Sequence, residues 1–135
     1  MVIDPEADRP IYRQLADLIR DQIKRGELPP GQRIPVEVDY MLQYDISRDS
    51  VRRAIAILRG EGLIITERRG SYVRSPADRS VVPVKRGRIT ARIPTEPERR
   101  KLRLGEGVPI LVIEREGRDA EILPGDRTVI LIGPD

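Results

Sequence analysis

The fold is decided by residues 46–74, which read ISRDSVRRAIAILRGEGLIITERRGSYVR. Ser47 is a favourable N-cap residue, and apolar side chains then recur at the i, i+3, i+4, i+7 spacing of a helix that is buried on one side. This pattern predicts a helix from Arg48 to about Gly60. The residues expected on its buried face are Val51, Ala54, Ile55 and Leu58.

Three arginines share another face of this helix. At about 100° per residue, Arg48, Arg52 and Arg59 fall within one narrow sector beside the buried face. The second helix of a helix-turn-helix needs this arrangement, because it buries one side and presents arginine to DNA bases with the other. A core helix with a solvated basic face gives the same periodicity, so the spacing alone leaves both interpretations open.

A β-hairpin is predicted directly after this helix. Residues 62–66 and 71–74 are rich in β-formers, and the turn between them is Glu67-Arg68-Arg69-Gly70. A basic hairpin that follows a recognition helix is typical of a winged helix, whose wing reaches phosphates or the minor groove. A tip that only aids solubility is the alternative.

Two further helices are predicted upstream. Pro10 suits a first helical turn, and a single apolar stripe then continues until Gly26 and Pro29-Pro30 end the helix. The stripe consists of Ile11, Leu15, Leu18, Ile19 and Ile23. A second helix is expected over residues 36–44. The side chains expected to face inward from it are Val38, Met41 and Leu42.

Residues 10–74 resemble the DNA-binding domain of the GntR family of bacterial transcription regulators. The motifs that carry the resemblance are Pro10-Ile11-Tyr12, Gly31-x-x-Ile34-Pro35-x-Glu37, Ile46-Ser47-Arg48-x-Ser50-Val51-Arg52-x-Ala54, Glu61-Gly62-Leu63-Ile64 and Gly70-Ser71-Tyr72-Val73. The resemblance implies an α+β fold, with an N-terminal winged helix of three helices and a hairpin wing over residues 1–74. A small β-rich module would follow.

The resemblance also implies a function. It indicates a sequence-specific regulator of transcription, a repressor that binds double-stranded DNA at an inverted-repeat operator as a homodimer. A winged helix used for protein or RNA contacts is the alternative. Ser47 and Ser50 would contact phosphate or base, Arg48 and Arg52 would read base edges in the major groove, and the wing would lie along the minor groove. The residues predicted to bind DNA are Arg33, Ser47, Arg48, Asp49, Ser50, Arg52, Arg53, Arg68, Arg69, Gly70 and Ser71.

Three positions depart from the family pattern. Val36 stands where serine usually caps the second helix, at a typical cost of about 1 kcal/mol. Val38 replaces a frequent arginine, which removes one expected DNA contact. Arg68 replaces the first of two wing glycines, which adds positive charge and leaves the wing conformation open.

Composition narrows the possible functions. The chain has 135 residues, no cysteine and no histidine, so disulfides, thiolate zinc sites and histidine-based catalysis are excluded. The enzyme class left open is one based on carboxylates or lysine, for which the neighbouring pairs are Asp17 with Asp21 and Glu114 with Glu116; both pairs are typical of solvated surface, so we expect no enzyme, no cofactor and no metal. Neither a membrane-length apolar stretch nor a signal peptide is predicted, which favours a cytoplasmic protein that does not contact the membrane. A small-molecule effector stays an open question.

The charge is unevenly distributed, although its net value is only +3. Residues 47–74 and 85–103 are basic, residues 1–46 and 104–135 are acidic, and residues 75–84 between the two basic blocks are neutral. Two basic blocks between acidic flanks indicate a surface for a polyanion, or else two solvated faces. The block at residues 85–103 would then add contacts to the DNA backbone or remain solvated.

The C-terminal part is predicted to be a separate small module. Residues 75–84 contain two prolines and balanced charge, which is typical of a linker. The pattern of residues 85–135 predicts four short strands and one short helix. Thr95 and Glu98 are predicted to form a capping box at the N-terminus of this helix. Residues 92–116 weakly resemble the start of a UTRA effector domain, and more faintly an AbrB-like dimeriser. A β-rich appendage for dimerisation or packing is the plain alternative.

Overall fold

A computed structural model describes residues 2–134. Its N-terminal part contains three helices: α1 (Ile11–Lys24), α2 (Glu37–Tyr44) and α3 (Arg48–Gly60). Pro10 is the N-cap of α1, and Arg25 ends this helix next to Gly26, whose φ is 80°. The bounds of α1 and α3 agree with the prediction, because both helices carry a long apolar stripe.

The wing follows α3 as an antiparallel hairpin of β1 (Ile64–Glu67) and β2 (Gly70–Val73). A bridge between Arg33 and Tyr72 adds the segment before α2 to the outer edge of β2. The wing is therefore connected to the helices twice: directly to the end of α3, and through this bridge to the segment before α2.

One apolar core holds these elements together. It is formed where α1 crosses α3, and the inner faces of β1 and β2 close it. The predicted buried residues of α3 all lie in this core. Its fully buried large side chains include Leu15, Ile19, Val51, Leu58, Ile64 and Val73.

The inward face of α2 differs from the prediction. Val38 is 46% exposed and Leu42 is 79% exposed, whereas Tyr40 is only 2% exposed. Met41 is partly buried and packs against the core, as expected. The prediction was wrong because an eight-residue helix has barely two turns, so the apolar pattern does not fix its rotation. The rings of Tyr40 and Tyr44, which are stacked 6.4 Å apart, are directed to the core instead.

The C-terminal module contains five strands and one helix. They are β3 (Ser80–Val84), β4 (Arg88–Arg92), α4 (Glu96–Lys101), β5 (Ile110–Glu114), β6 (Glu121–Pro124) and β7 (Thr128–Ile132). Strands β4, β5 and β6 form an antiparallel sheet in that order, while β3 and β7 pair in parallel. Thr95 accepts a hydrogen bond from the amide of Glu98, and the Glu98 carboxylate accepts one from the amide of Thr95. The predicted capping box is confirmed.

The expected linker over residues 75–84 is wrong for its second half. Ser75 caps a short 3-10 turn over Pro76–Asp78, and residues 80–84 form β3. Pro83 suggested an irregular segment, but a proline is tolerated in an edge strand, where its missing N–H needs no partner.

The module contacts the winged helix through backbone atoms. Gly107 lies so close to α3 that a Cβ on it would be 2.3 Å from the carbonyl oxygen of Ala56. The Arg59 guanidinium donates to the carbonyl of Glu106 at 3.1 Å, and Arg74 donates to the carbonyl of Asp126 at 2.9 Å. The segment 102–107 therefore rests on the second half of α3.

Candidate nucleic-acid interface

The start of α3 is fixed by a tight chain reversal at Asp45. Asp45 adopts a left-handed conformation with φ 53° and ψ 56°, which reverses the chain between α2 and α3. Ser47 then accepts a hydrogen bond from the amide of Ser50 at 3.1 Å, so the predicted N-cap is confirmed. The Ser47 and Ser50 hydroxyls are also 3.1 Å apart. This places both hydroxyls at the N-terminus of α3, where the helix dipole favours a phosphate.

Arg48 and Arg52 project from the exposed face of α3. The side chain of Arg52 is 60% exposed and pairs with Glu37 at the start of α2, with Nε 2.7 Å from the carboxylate. This ion pair raises the pKa of Arg52 and orients its guanidinium. In the described residues, Arg48 has no carboxylate partner within 4.0 Å. The helix thus presents one pre-oriented arginine and one unpaired arginine.

Two of the predicted residues lie elsewhere on the helix. Arg53 and Asp49 form an i, i+4 ion pair at 3.0 Å, and the Arg53 guanidinium lies 5.5 Å from the centre of the Tyr12 ring. Arg53 is about 100° around the helix axis from Arg52. Arg53 therefore points away from Arg52, while Asp49 is occupied by its ion pair with Arg53, and the DNA contact of both stays a prediction.

The wing brings its predicted residues together at one edge. The hydroxyls of Thr66 and Ser71 are 2.8 Å apart across the hairpin. Gly70 has φ 130°, and a Cβ on it would lie 2.8 Å from Nε of Arg33. Glycine is favoured here by this φ, whereas the guanidinium of Arg33 lies at the end of a flexible side chain and could move aside.

The two arginines of the wing tip have different surroundings. Arg69 lies 3.4 Å from the Glu67 carboxylate and 5.6 Å from the centre of the Tyr72 ring. Arg68 is exposed and, within residues 2–134, has no acidic partner within 4.0 Å. Arginine in place of the family's first wing glycine is thus accommodated in a regular hairpin, which settles the conformation that the sequence left open.

Arg59 was grouped with Arg48 and Arg52 by the sequence, but it is partly buried. Burial beneath residues 105–107 lowers its pKa, and its Nε has no hydrogen-bond partner within residues 2–134. It lines a cleft of 320 Å³ between α3 and the wing. Tyr40 reaches the same cleft, and burial raises the pKa of its hydroxyl, which has no partner among the described residues either. Composition gave no signal that the C-terminal module would cover this arginine.

Residues 2–134 contain no group of three or more acidic side chains placed to hold a metal ion. No helix in this range is long and apolar enough to cross a membrane.

Three helices, a tight turn before the third, and a basic hairpin after it define a winged helix-turn-helix domain. Residues 11–73 match the sequence profile of the bacterial regulatory proteins of the gntR family. YtrA from Sulfolobus acidocaldarius, a GntR-family transcription factor of known structure, is 36% identical; the match covers 54% of this chain and 78% of that one, with a TM-score of 0.52. The chain belongs to the GntR family through its N-terminal domain.

Curated relatives are similar over about half of this chain. The HTH-type transcriptional repressor NagR of Bacillus subtilis is 40% identical over 77 residues, which are 56% of this chain and 32% of NagR. The repressor MngR of the mannosyl-D-glycerate system in Escherichia coli is 40% identical over 73 residues, which are 47% of this chain and 30% of MngR. The chain thus spans about a third of the length of these relatives. The resemblance of residues 92–116 to a UTRA domain is not confirmed by these matches.

Proposed function

We propose that this protein is a sequence-specific DNA-binding regulator of transcription that acts as a repressor. One observation carries the proposal: Arg48 and Arg52 stand exposed on the face of an N-capped helix that lies beside a basic wing. An arginine on such a helix donates two hydrogen bonds to O6 and N7 of guanine in the major groove. The ion pair with Glu37 already restricts the Arg52 side chain before DNA binds, so less side-chain conformational entropy is lost on binding.

The family relatives support the regulatory role. NagR and MngR are both named as repressors, and each is 40% identical to this chain over more than 70 residues. No catalytic step follows from this arrangement. A winged helix used for protein or RNA contacts is the remaining alternative; Arg48 and Arg52 on the outer face of α3, together with the repressors among the relatives, favour duplex DNA over it.

We further propose that the protein acts as a homodimer on an inverted-repeat operator in the bacterial cytoplasm. A single winged helix reads only a short half-site, and two-fold symmetry doubles the sequence that is read. The paired strands β3 and β7 support this proposal because they leave a set of apolar side chains exposed that a second copy would cover. These are Val81, Val129, Leu131 and Ile132.

Selection of binding sites from random duplex DNA tests the function and the symmetry together. Once a site is found, Arg48→Ala and Arg52→Ala are each expected to reduce the ratio of specific to random binding by about 5- to 150-fold, since a bidentate arginine–guanine contact contributes about 1–3 kcal/mol. Arg25→Ala is the matched control, because Arg25 is exposed at the far end of α1. It should leave the ratio unchanged.

Two results would contradict the proposal. If Arg48→Ala and Arg52→Ala bound selected and random DNA with the parent's ratio, these residues would not read bases. If single-stranded RNA displaced the protein more readily than duplex DNA, the alternative function would be favoured. Selected sites without two-fold symmetry would refute the homodimeric arrangement alone.

A further inference from the structure

A basic groove separates the wing tip from the C-terminal module. It has a volume of about 530 Å³ and opens to solvent. Its basic side chains come from both parts of the protein: Arg68 and Arg69 from the wing, and Arg103 and Arg127 from the module. The module therefore supplies half of the cations at a site next to a proposed DNA contact.

The four arginines are not equally available to a ligand. Arg127 is engaged by the buried Asp126 carboxylate, with hydrogen bonds of 3.0 and 3.1 Å. Arg69 lies 3.4 Å from Glu67. Within the part of the chain that the structure describes, Arg68 and Arg103 are exposed and have no carboxylate within 4.0 Å. Two unpaired guanidinium groups thus face one groove, one from each module.

The groove continues the recognition surface. The segment 102–107 that forms its wall rests on Ala56 and Arg59, on the side of α3 that carries Arg52. Ala56 is one turn beyond Arg52, or about 6 Å along the helix axis. A duplex that touched both Arg52 and the wing tip would pass beside this segment.

The backbone of Arg103 is a second, independent observation. Arg103 follows the end of α4 with φ 54°. The amide of Leu104 donates to the carbonyl of Arg99 at 2.9 Å, and the amide of Arg103 donates to the carbonyl of Arg100 at 3.2 Å. This is the Schellman ending of a helix, in which glycine normally occupies the left-handed position. Arginine there costs free energy that glycine would avoid, so local backbone preference does not explain an arginine at this position.

The charge of the segment indicates what it faces. Residues 99–103 read Arg-Arg-Lys-Leu-Arg, and among the cations of this run only Arg99 has a carboxylate partner within residues 2–134, Glu96 at 2.7 Å. If the segment covered a basic surface and thereby kept DNA away from it, we would expect the segment to be acidic. The segment is basic, and it is held against α3 by the close backbone packing at Gly107 and by the hydrogen bond from Arg59 to the Glu106 carbonyl. Its charge suits a polyanion that it shares with the wing.

We propose that this groove binds backbone phosphates of the DNA duplex next to the base pairs contacted by α3, with Arg68 on one side and Arg103 on the other. The C-terminal module would then be part of the DNA-binding surface. This inference rests on the proposed function, because it needs a protein that binds duplex DNA. It goes beyond the winged helix, which alone supplies the DNA contacts that the family resemblance implies.

The test is the salt dependence of DNA binding by the full chain. Arg103→Gly removes the guanidinium and relaxes the backbone, so the fold is preserved. Each phosphate contact contributes about 0.9 to the slope of log affinity against log salt. We expect Arg103→Gly to lower this slope by about 0.9 on selected and random duplexes alike, which is about a 3.5-fold difference over a fourfold rise in salt. Arg68→Ala should give the same reduction, and the double variant about twice as much.

Arg118→Ala is the matched control. Arg118 is an exposed arginine of the same module in the turn between β5 and β6. This turn is at the opposite end of β5 from the segment 102–107, and five residues of strand span about 17 Å. The control should keep the parent slope. Hydroxyl-radical footprints should also lose their outermost protected positions in Arg103→Gly but not in Arg118→Ala.

The outcomes separate this inference from the proposed function. A slope in Arg103→Gly equal to that of Arg118→Ala would overturn the inference while leaving sequence-specific binding intact. Tighter binding by Arg103→Gly would also overturn it, because the segment would then obstruct DNA. If the parent chain bound no duplex DNA at all, both proposals would fail together.

Discussion

Replacing Gly107 by alanine should detach the C-terminal module from α3. A Cβ at this position would lie 2.3 Å from the carbonyl oxygen of Ala56 and 3.0 Å from its carbonyl carbon. Both are backbone atoms within a helix, so they cannot rotate away as a side chain could. Either the loop or the helix has to move by about 1 Å, and overpacking of this kind costs about 1–3 kcal/mol.

The backbone of Gly107 adds a second cost. Its φ is 90°, in the left-handed region, where a residue with a side chain costs about 1–2 kcal/mol. The two effects together predict that Gly107→Ala lowers the free energy of unfolding by about 2–5 kcal/mol. This is a large part of the total stability of a small domain.

Gly117→Ala separates the two effects. Gly117 has φ 76°, and an added Cβ would meet nothing within 4 Å. It carries the same conformational strain and the same entropic change in the unfolded chain, but no clash. Urea unfolding of both variants, with amide exchange over residues 102–108, should show a larger loss for Gly107→Ala by about 1–3 kcal/mol. Equal losses, with unchanged exchange, would refute the close contact between Gly107 and α3.

Two further predictions concern helix starts. Val36→Ser should raise the free energy of unfolding by about 1 kcal/mol, because Val36 is 48% exposed and gives α2 no side-chain cap; a lower melting temperature would contradict this. Glu98 should titrate at a pKa of about 2, because hydrogen bonds from Arg92 and Thr95 favour its ionised form. The stability that Glu98 contributes to the fold is present above the pKa of this glutamate in the unfolded chain and is lost as the pH falls towards 2. An NMR titration checks this, and Arg92→Ala should raise the pKa.

The elements with long periodic patterns could be predicted from the sequence. In α3, Val51 and Leu58 are two turns apart on one face, and Ser47 marks the start, so bounds and buried face both follow. The capping box at Thr95 is equally local, since both hydrogen bonds join residues three apart. Such features depend on near neighbours in the chain, which is why they can be read without the structure.

Features set by distant residues could not be predicted. Strand β3 forms because residues 80–84 pair in parallel with residues 128–132, and no local signal reports a partner 48 positions away. The rotation of α2 is likewise set by the space available to Tyr40 in the core. The partial burial of Arg59 could not be predicted for the same reason, since its exposure is decided by the backbone of residues 105–107 and not by its position on α3.

Two small residues of α3 nevertheless indicate in the sequence that the module packs on this helix. Ala56 and Gly60 are four residues apart, so both small residues lie on one side of α3. A Cβ at Gly60 would be 2.8 Å from the carbonyl oxygen of Gly107, and Gly107 in turn approaches Ala56. A glycine in the last turn of a helix lowers helix propensity, so it is best explained by a backbone that approaches closely. The outer face of α3 therefore has two halves: Arg48 and Arg52 are open to a partner, and Ala56 and Gly60 receive the chain's own second module.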